Sequence, residues 1–83
     1  MGTYANVKYR KLAGGLLRWL ASKENVEVLT GGKHVIVVRH AFAERPFPIP
    51  KLGNEVNKHI IASFQKWLEK LGVCSKEEFD ERL

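Results

Sequence analysis

The chain has 83 residues, of which 45% are hydrophobic and 28% charged, and its single cysteine is Cys74. This length predicts one domain over residues 1–83, and the hydrophobic share predicts a folded rather than a disordered chain. One cysteine excludes an intramolecular disulfide and a cysteine-based zinc site, and it favours a reducing, cytoplasmic compartment. No apolar run approaches the roughly 18 residues of a membrane span, so no membrane contact is expected.

Charge is unevenly distributed along the chain. Residues 1–72 carry 12 basic and 5 acidic groups, a net of +7, whereas residues 73–83 carry 2 basic and 4 acidic groups, a net of −2. A cationic body favours a polyanion, such as nucleic acid, or an acidic protein partner. An ordinary excess of solvated surface charge explains the same numbers equally well.

The first predicted element is a helix from about Val7 to Ser22, after a flexible terminus at residues 1–6. Its apolar stripe contains three leucines at helical spacing, Leu12, Leu16 and Leu20. Gly14 and Gly15 lie in the middle, where each costs about 1 kcal/mol relative to alanine. The pair therefore indicates either close packing against a neighbour or a kink.

Three short strands are predicted next, over residues 26–29, about 34–41 and 46–50. Residues 30–33 form a turn that joins the first two strands in an antiparallel hairpin. The third segment reads Pro-Phe-Pro-Ile-Pro. Because proline cannot donate to a ladder, this strand is expected at an edge of the sheet.

A second helix is predicted to start near Asn54 as its N-cap, with Glu55 in the first turn and Gly72 just past its end. Its apolar face consists of Val56, Ile60, Ile61, Phe64, Trp67, Leu68 and Leu71. Ser75 and Glu78 have the spacing of a capping box, so residues 74–83 are expected to form an acidic helical tail. The predicted fold is a small α+β domain in the order αβββα, with two helices covering one face of a three-stranded antiparallel sheet.

His34 stands where a glycine turn leads into a β-branched strand, in the run Thr-Gly-Gly-Lys-His-Val-Ile-Val-Val-Arg-His. Imidazole titrates near neutrality, and its neighbour Lys33 can attract phosphate. A histidine that ends a turn and bonds a backbone carbonyl is nevertheless the simpler explanation from these residues alone. Strict alternation places His34 on the face of Ile36 and Val38. It is then exposed only if the strand starts at Val35, bulges, or has that face uncovered.

The order of motifs over residues 11–83 adds to this picture. The run Gly32-Lys33-His34 precedes a strand, and Ile49-Pro50-Lys51-Leu52-Gly53-Asn54-Glu55 links the third strand to the second helix. That helix carries Ile60-Ile61-Ala62-Ser63-Phe64-Gln65-Lys66, and Ser75-Lys76-Glu77-Glu78-Phe79 follows a short break. Together these motifs resemble the HicA-type mRNA interferase toxins, small bacterial and archaeal ribonucleases with a fold like the double-stranded RNA-binding domain.

Two positions depart from the pattern of that family. Lys33 replaces the usual serine of its Gly-Ser-His motif, and Leu52 stands where a second histidine is frequent. These departures keep an alternative open, in which the chain is a non-catalytic nucleic-acid- or protein-binding module on the same fold.

The resemblance implies an endoribonuclease in which His34 is the catalytic residue, acting on RNA without a metal or other cofactor. It also implies a HicB-type antitoxin protein as partner, covering the basic face; the oligomeric state stays open. The expected substrate-binding residues are Gly32, Lys33, Arg39, Lys51 and Lys58. The last three are expected to contact phosphates, because they come from a strand end, a loop and a helix start near one edge of the sheet.

The other two histidines are not expected to take part in catalysis. His40 lies six residues beyond His34, which is about 20 Å along an extended strand. His59 falls on the polar side of the second predicted helix and is expected to be solvated.

Overall fold

Three helices pack around a three-stranded antiparallel sheet in the computed structural model, which describes residues 4–29, 35–50 and 55–83. In chain order the elements are β1 (Val7–Lys8), α1 (residues 9–21), β2 (Val26–Leu29), β3 (Val35–His40), β4 (Phe47–Pro50), β5 (Glu55–Val56), α2 (Lys58–Lys70) and α3 (Lys76–Arg82). The expected small α+β architecture is confirmed. None of the helices in the described ranges combines the length and the apolarity needed to span a bilayer.

The sheet has the order β2-β3-β4, and both neighbouring pairs are antiparallel. β3 is the central strand, and its buried residues Ile36 and Val38 lie opposite Ile49 and Phe47 of β4. β4 is an edge strand, as its prolines predicted. The antiparallel pairing of β2 with β3 is also confirmed, with Val28 opposite Val38; the turn predicted at residues 30–33 lies outside the described residues.

A second, two-stranded ribbon, which was not expected from the sequence, pairs β1 with β5. Val7 lies opposite Val56, and Lys8 lies opposite Glu55. Val56 is fully buried in the core, but it belongs to β5. Its predicted place on the apolar face of the second helix is therefore wrong. Because residue 7 belongs to the ribbon, α1 begins at Tyr9, two residues later than expected.

The predicted start of the second helix at Asn54 and Glu55 is wrong, although Asn54 itself lies outside the described residues. Glu55 is in β5, and α2 begins at Lys58 with Asn57 as its N-cap. The Asn57 side-chain oxygen accepts a hydrogen bond from the His59 N–H at 2.8 Å. Asparagine is a strong N-cap at either position, and pairing with β1 decides between them.

The first helix changes its hydrogen-bonding pattern at its glycines. It is α-helical over Tyr9–Leu12, π-helical over Ala13–Leu17 and α-helical over Arg18–Ala21. A β-carbon added to Gly15 would lie 2.8 Å from the Arg82 carbonyl oxygen, whereas one added to Gly14 would meet nothing within 4 Å. Close packing therefore explains Gly15 alone, and the π-helical segment is the local irregularity that contains both glycines.

The core joins all three helices to one face of the sheet. Its largest fully buried side chains are Phe64, Phe79, Leu12, Leu16, Leu20, Ile49, Ile61, Leu68, Val38 and Val56. The Phe64 ring lies 5.1 Å from Phe47, 6.1 Å from Trp67 and 6.0 Å from Phe79, measured between ring centres. Burying such a side chain stabilises the fold by about 1.5–3 kcal/mol, so Phe64 connects α2 to both β4 and α3.

The predicted C-terminal end of α2 and the predicted start of α3 are confirmed. Gly72 has a φ of 74° just after α2, and its N–H and that of Val73 bond back to the carbonyls of Glu69 and Leu68. Ser75 and Glu78 form the reciprocal capping box that opens α3. The acidic tail is therefore a packed helix.

A cluster of three side chains ties residue 4 to α3. The Tyr4 hydroxyl donates to Asp80 Oδ1 at 2.7 Å, and Lys76 Nζ donates to Asp80 Oδ2 at 2.8 Å. The Tyr4 ring also meets the Phe79 ring edge-on, with centres 5.9 Å apart. The hydrogen bonds from Lys76 and then Tyr4 lower the pKa of the Asp80 carboxyl, and burial together with Asp80 raises the pKa of Tyr4.

The two neighbouring glycines predict opposite effects of one substitution. Gly14→Ala should raise the free energy of unfolding by up to about 1 kcal/mol, because alanine favours helix and the site is open. Gly15→Ala should lower it by about 1–3 kcal/mol, because the new methyl group would press on the Arg82 carbonyl. Urea unfolding followed by circular dichroism measures both. Equal stabilisation of the two variants would show that α3 does not pack on Gly15.

Asp80 predicts a pH-dependent contribution to stability. Its pKa is lowered in the folded state, so the stabilisation is fully present above the unfolded value of about 3.9 and is lost as the pH falls through the folded value. The difference in unfolding free energy between the parent and Asp80→Asn should therefore shrink from neutral to strongly acidic pH. Glu81→Gln, which neutralises a neighbouring carboxylate of α3, is the control. A difference for Asp80→Asn that is constant with pH would contradict this assignment.

Candidate nucleic-acid interface

The candidate site lies mostly in two segments that the structure does not describe. Four of the six predicted site residues are outside the described ranges, namely Gly32, Lys33, His34 and Lys51. Their neighbours in the chain are described, however, and these show where both segments leave the sheet.

Both segments leave from the same end of the sheet. β3 begins at Val35, the residue after His34, and Val35 lies opposite Pro50, the residue before Lys51. In the chain, His34 therefore directly precedes one residue of this cross-strand pair, and Lys51 directly follows the other.

The start of α2 lies beside this same end of the sheet. A shallow cavity there is lined by Asn6, Pro50, Glu55, Asn57 and Ile60. The Asn6 side-chain oxygen accepts a hydrogen bond from the Lys58 N–H at 2.9 Å, which fixes the first turn of α2 against β1. The structure thus brings Lys58 to the end of the sheet to which His34 and Lys51 are attached.

The first two N–H groups of α2 are already bonded within the chain. Asn6 accepts from Lys58, and Asn57 accepts from His59. A phosphate at this helix start would therefore be held by the exposed side chain of Lys58. The role of Asn57 as an N-cap could have been predicted, because it lies three residues before the apolar Ile60. Nothing in the sequence near Asn6 indicates that it bonds to the start of α2.

Arg39 occupies a different part of the sheet. It is exposed on β3 opposite Glu27, four residues and about 13 Å from Val35 along the strand. It lines a cavity together with Glu24, Glu44 and other residues at the far end of the sheet. The structure therefore does not bring Arg39 together with Lys58.

Of the two described histidines, His40 lies at the opposite end of β3 from Val35, whereas His59 follows Lys58 in the first turn of α2. His40 is half-buried at the last position of β3, where its Nδ1 accepts a hydrogen bond from the Phe42 N–H at 3.0 Å. The Phe42 side chain is 78% exposed, and its ring centre lies 5.5 Å from that of His40. His59 is exposed on α2, as expected.

The described residues offer neither a metal cluster nor an activated thiol. No group of three or more His, Cys, Asp or Glu side chains within residues 4–29, 35–50 and 55–83 could hold a metal ion. Cys74 is buried, and that burial, followed by the nearby Glu78, raises the pKa of its thiol.

Comparisons of the chain with protein-family models, with curated proteins and with solved structures found no match. The resemblance to the HicA-type toxins therefore rests on the motifs of the sequence.

The hydrogen bond from Phe42 to His40 predicts a single tautomer. Because Nδ1 accepts, neutral His40 should carry its proton on Nε2. Nitrogen NMR of the imidazole at a pH where it is neutral measures this directly, with the exposed His59 as the internal reference. A neutral His40 protonated on Nδ1 would show that the bond to the loop is absent.

Proposed function

We propose that this chain is the toxin of a type II toxin–antitoxin pair, an endoribonuclease in which His34 is the catalytic residue. The observation that carries the proposal is the pairing of Val35 with Pro50. This pair joins the segment containing Gly32, Lys33 and His34 to the segment containing Lys51 at one end of the sheet. Lys58 at the start of α2 lies beside the same end, which supports a site built from these two segments and α2.

The proposed chemistry needs little more than one histidine and fixed positive charge. His34 accepts the proton of a ribose 2′-hydroxyl while the 2′-oxygen attacks the adjacent phosphorus. The bond from phosphorus to the 5′-oxygen breaks, and the proton passes to that leaving oxygen. General acid–base transfer of this kind contributes typically about 10²- to 10⁴-fold. Lys33 stabilises the charge on the phosphorane, and the need for a 2′-hydroxyl restricts the reaction to RNA.

The remaining cations divide into near and distant contacts. Lys51 and Lys58 hold phosphates next to the cleaved bond, since both belong to the end of the sheet that carries His34. Arg39, about 13 Å from Val35 along β3, contacts a phosphate farther along the strand. Gly32 allows the RNA backbone to approach closely, because it has no side chain.

The fold and the charge support the same proposal. An antiparallel sheet of order β2-β3-β4 with α1 before it and α2 after it is the arrangement expected of a domain like the double-stranded RNA-binding domain. The net of +7 over residues 1–72 suits both RNA and an acidic partner. The proposed partner is a HicB-type antitoxin that covers the basic face and so keeps RNA away.

Replacing each histidine in turn tests the catalytic assignment. His34→Ala should abolish cleavage of a single-stranded RNA and relieve growth arrest, because it removes the proton acceptor. His40→Ala is the matched control and should keep most of the activity, since His40 lies at the opposite end of β3 from Val35. His59→Ala removes an exposed side chain next to Lys58 and should also keep most of the activity, because His34 alone is proposed as the base. Circular dichroism establishes that all three variants fold. If folded His34→Ala cleaves as fast as the parent, the chain is better explained as a non-catalytic binding module.

A further inference from the structure

A group of exposed cations on β1 and α1 has no part in the proposed reaction. It consists of Lys8, Arg10, Lys11 and Arg18, which we call the α1 basic face, and all four side chains are exposed. The first 23 residues contain no acidic group. The carboxylate of Asp80, which lies near Lys11, is already bonded by Tyr4 and Lys76.

The α1 basic face starts beside the candidate site. Lys8 lies opposite Glu55 in the ribbon, and Glu55 lines the cavity that reaches Pro50. The hydrogen bond from the Lys58 N–H to Asn6 places the start of α2 against the same ribbon. From Lys8 the face continues along α1 to Arg18, about 15 Å at the helical rise.

We propose that the α1 basic face binds the phosphate backbone of the RNA substrate, continuing the contacts of Lys58 away from the cleaved bond. This inference rests on the proposed function for the identity of the ligand. The face holds four exposed cations, Lys58 lies beside it, and the carboxylate opposite Lys8 in the ribbon is that of Glu55. Such contacts are independent of sequence and strongly dependent on salt, because each neutralised phosphate of a single strand releases about 0.7 counterion.

Gly14 is a position on this face where a charged side chain can be added. It is exposed on α1, four residues after Arg10 and four before Arg18. A β-carbon there meets nothing within 4 Å, so a side chain of either charge can be added without a clash. Lysine and glutamate both have a higher helix propensity than glycine, so both variants are expected to fold.

The test compares charges of opposite sign added at Gly14. The probe is a fluorescent single-stranded 2′-O-methyl RNA, which lacks the attacking hydroxyl and so stays intact. In about 0.1 M salt, Gly14→Lys should tighten binding on the order of fivefold, and Gly14→Glu should weaken it by a similar factor. The plot of log affinity against log salt has a negative slope, and Arg10→Gln should make that slope shallower by about 0.7.

Matched controls carry the same changes in net charge at the other end of α2. Glu69→Gln raises the net charge by one, as Gly14→Lys does, and Lys70→Gln lowers it by one, as Gly14→Glu does; both positions are exposed. If the Gly14 variants differ from the parent no more than these controls do, only net charge matters and the inference is wrong. It is also wrong if poly-glutamate binds as tightly as the RNA and responds to the same variants, because the face then fits an acidic protein.

This outcome is separate from that of the catalytic test. Binding of the 2′-O-methyl RNA does not depend on which residue is the base. Failure of the parent chain to bind it would overturn the inference about the α1 basic face. Cleavage of ordinary RNA by folded His34→Ala would overturn only the catalytic assignment.

Discussion

The pairing of β1 with β5 is the interaction on which the position of the candidate site depends. It joins residues about fifty positions apart and buries Val56 completely. The Asn6 side chain, next to the ribbon, then caps the first turn of α2 across 52 residues. This pairing holds β1 and Asn6 against the first turn of α2, where Lys58 lies.

Local patterns were sufficient where the deciding contacts are local. β2 was predicted to the residue, because Val26 to Leu29 alternate and two glycines follow in the sequence. Gly72 and the capping box of Ser75 and Glu78 were also predicted correctly, since a helix end is determined by a few neighbouring residues. The edge position of β4 followed from the missing N–H groups of its prolines.

Prediction failed where partners distant in sequence decide the structure. Val7 and Val56 fit a helix as well as a strand when only their neighbours are considered, and their mutual pairing makes them strands. Because of that pairing, the N-cap of α2 is Asn57 and not the predicted Asn54. The glycines of α1 indicated special packing, but only the position of the Arg82 carbonyl distinguishes Gly15 from Gly14.

The same difference between local and distant contacts applies to the candidate site. Its chemistry could be proposed from residue types at sequence positions, as with His34 and the cations around it. Its geometry could not, because cross-strand register decides which cations come together. Register joins the segments of His34 and Lys51 through Val35 and Pro50, and it leaves Arg39 opposite Glu27 at a distance.

The contact of Arg82 with Gly15 has a consequence for how the chain folds during synthesis. The first helix of the domain is covered by one of the last helices to be made, and Tyr4 likewise finds its partner at Asp80. Contacts between the two ends of a sequence form late and slow folding, because a long loop must close first. A nascent chain that stops short of α3 therefore leaves the inner side of α1 uncovered. The native domain is completed only after residue 82 has left the ribosome.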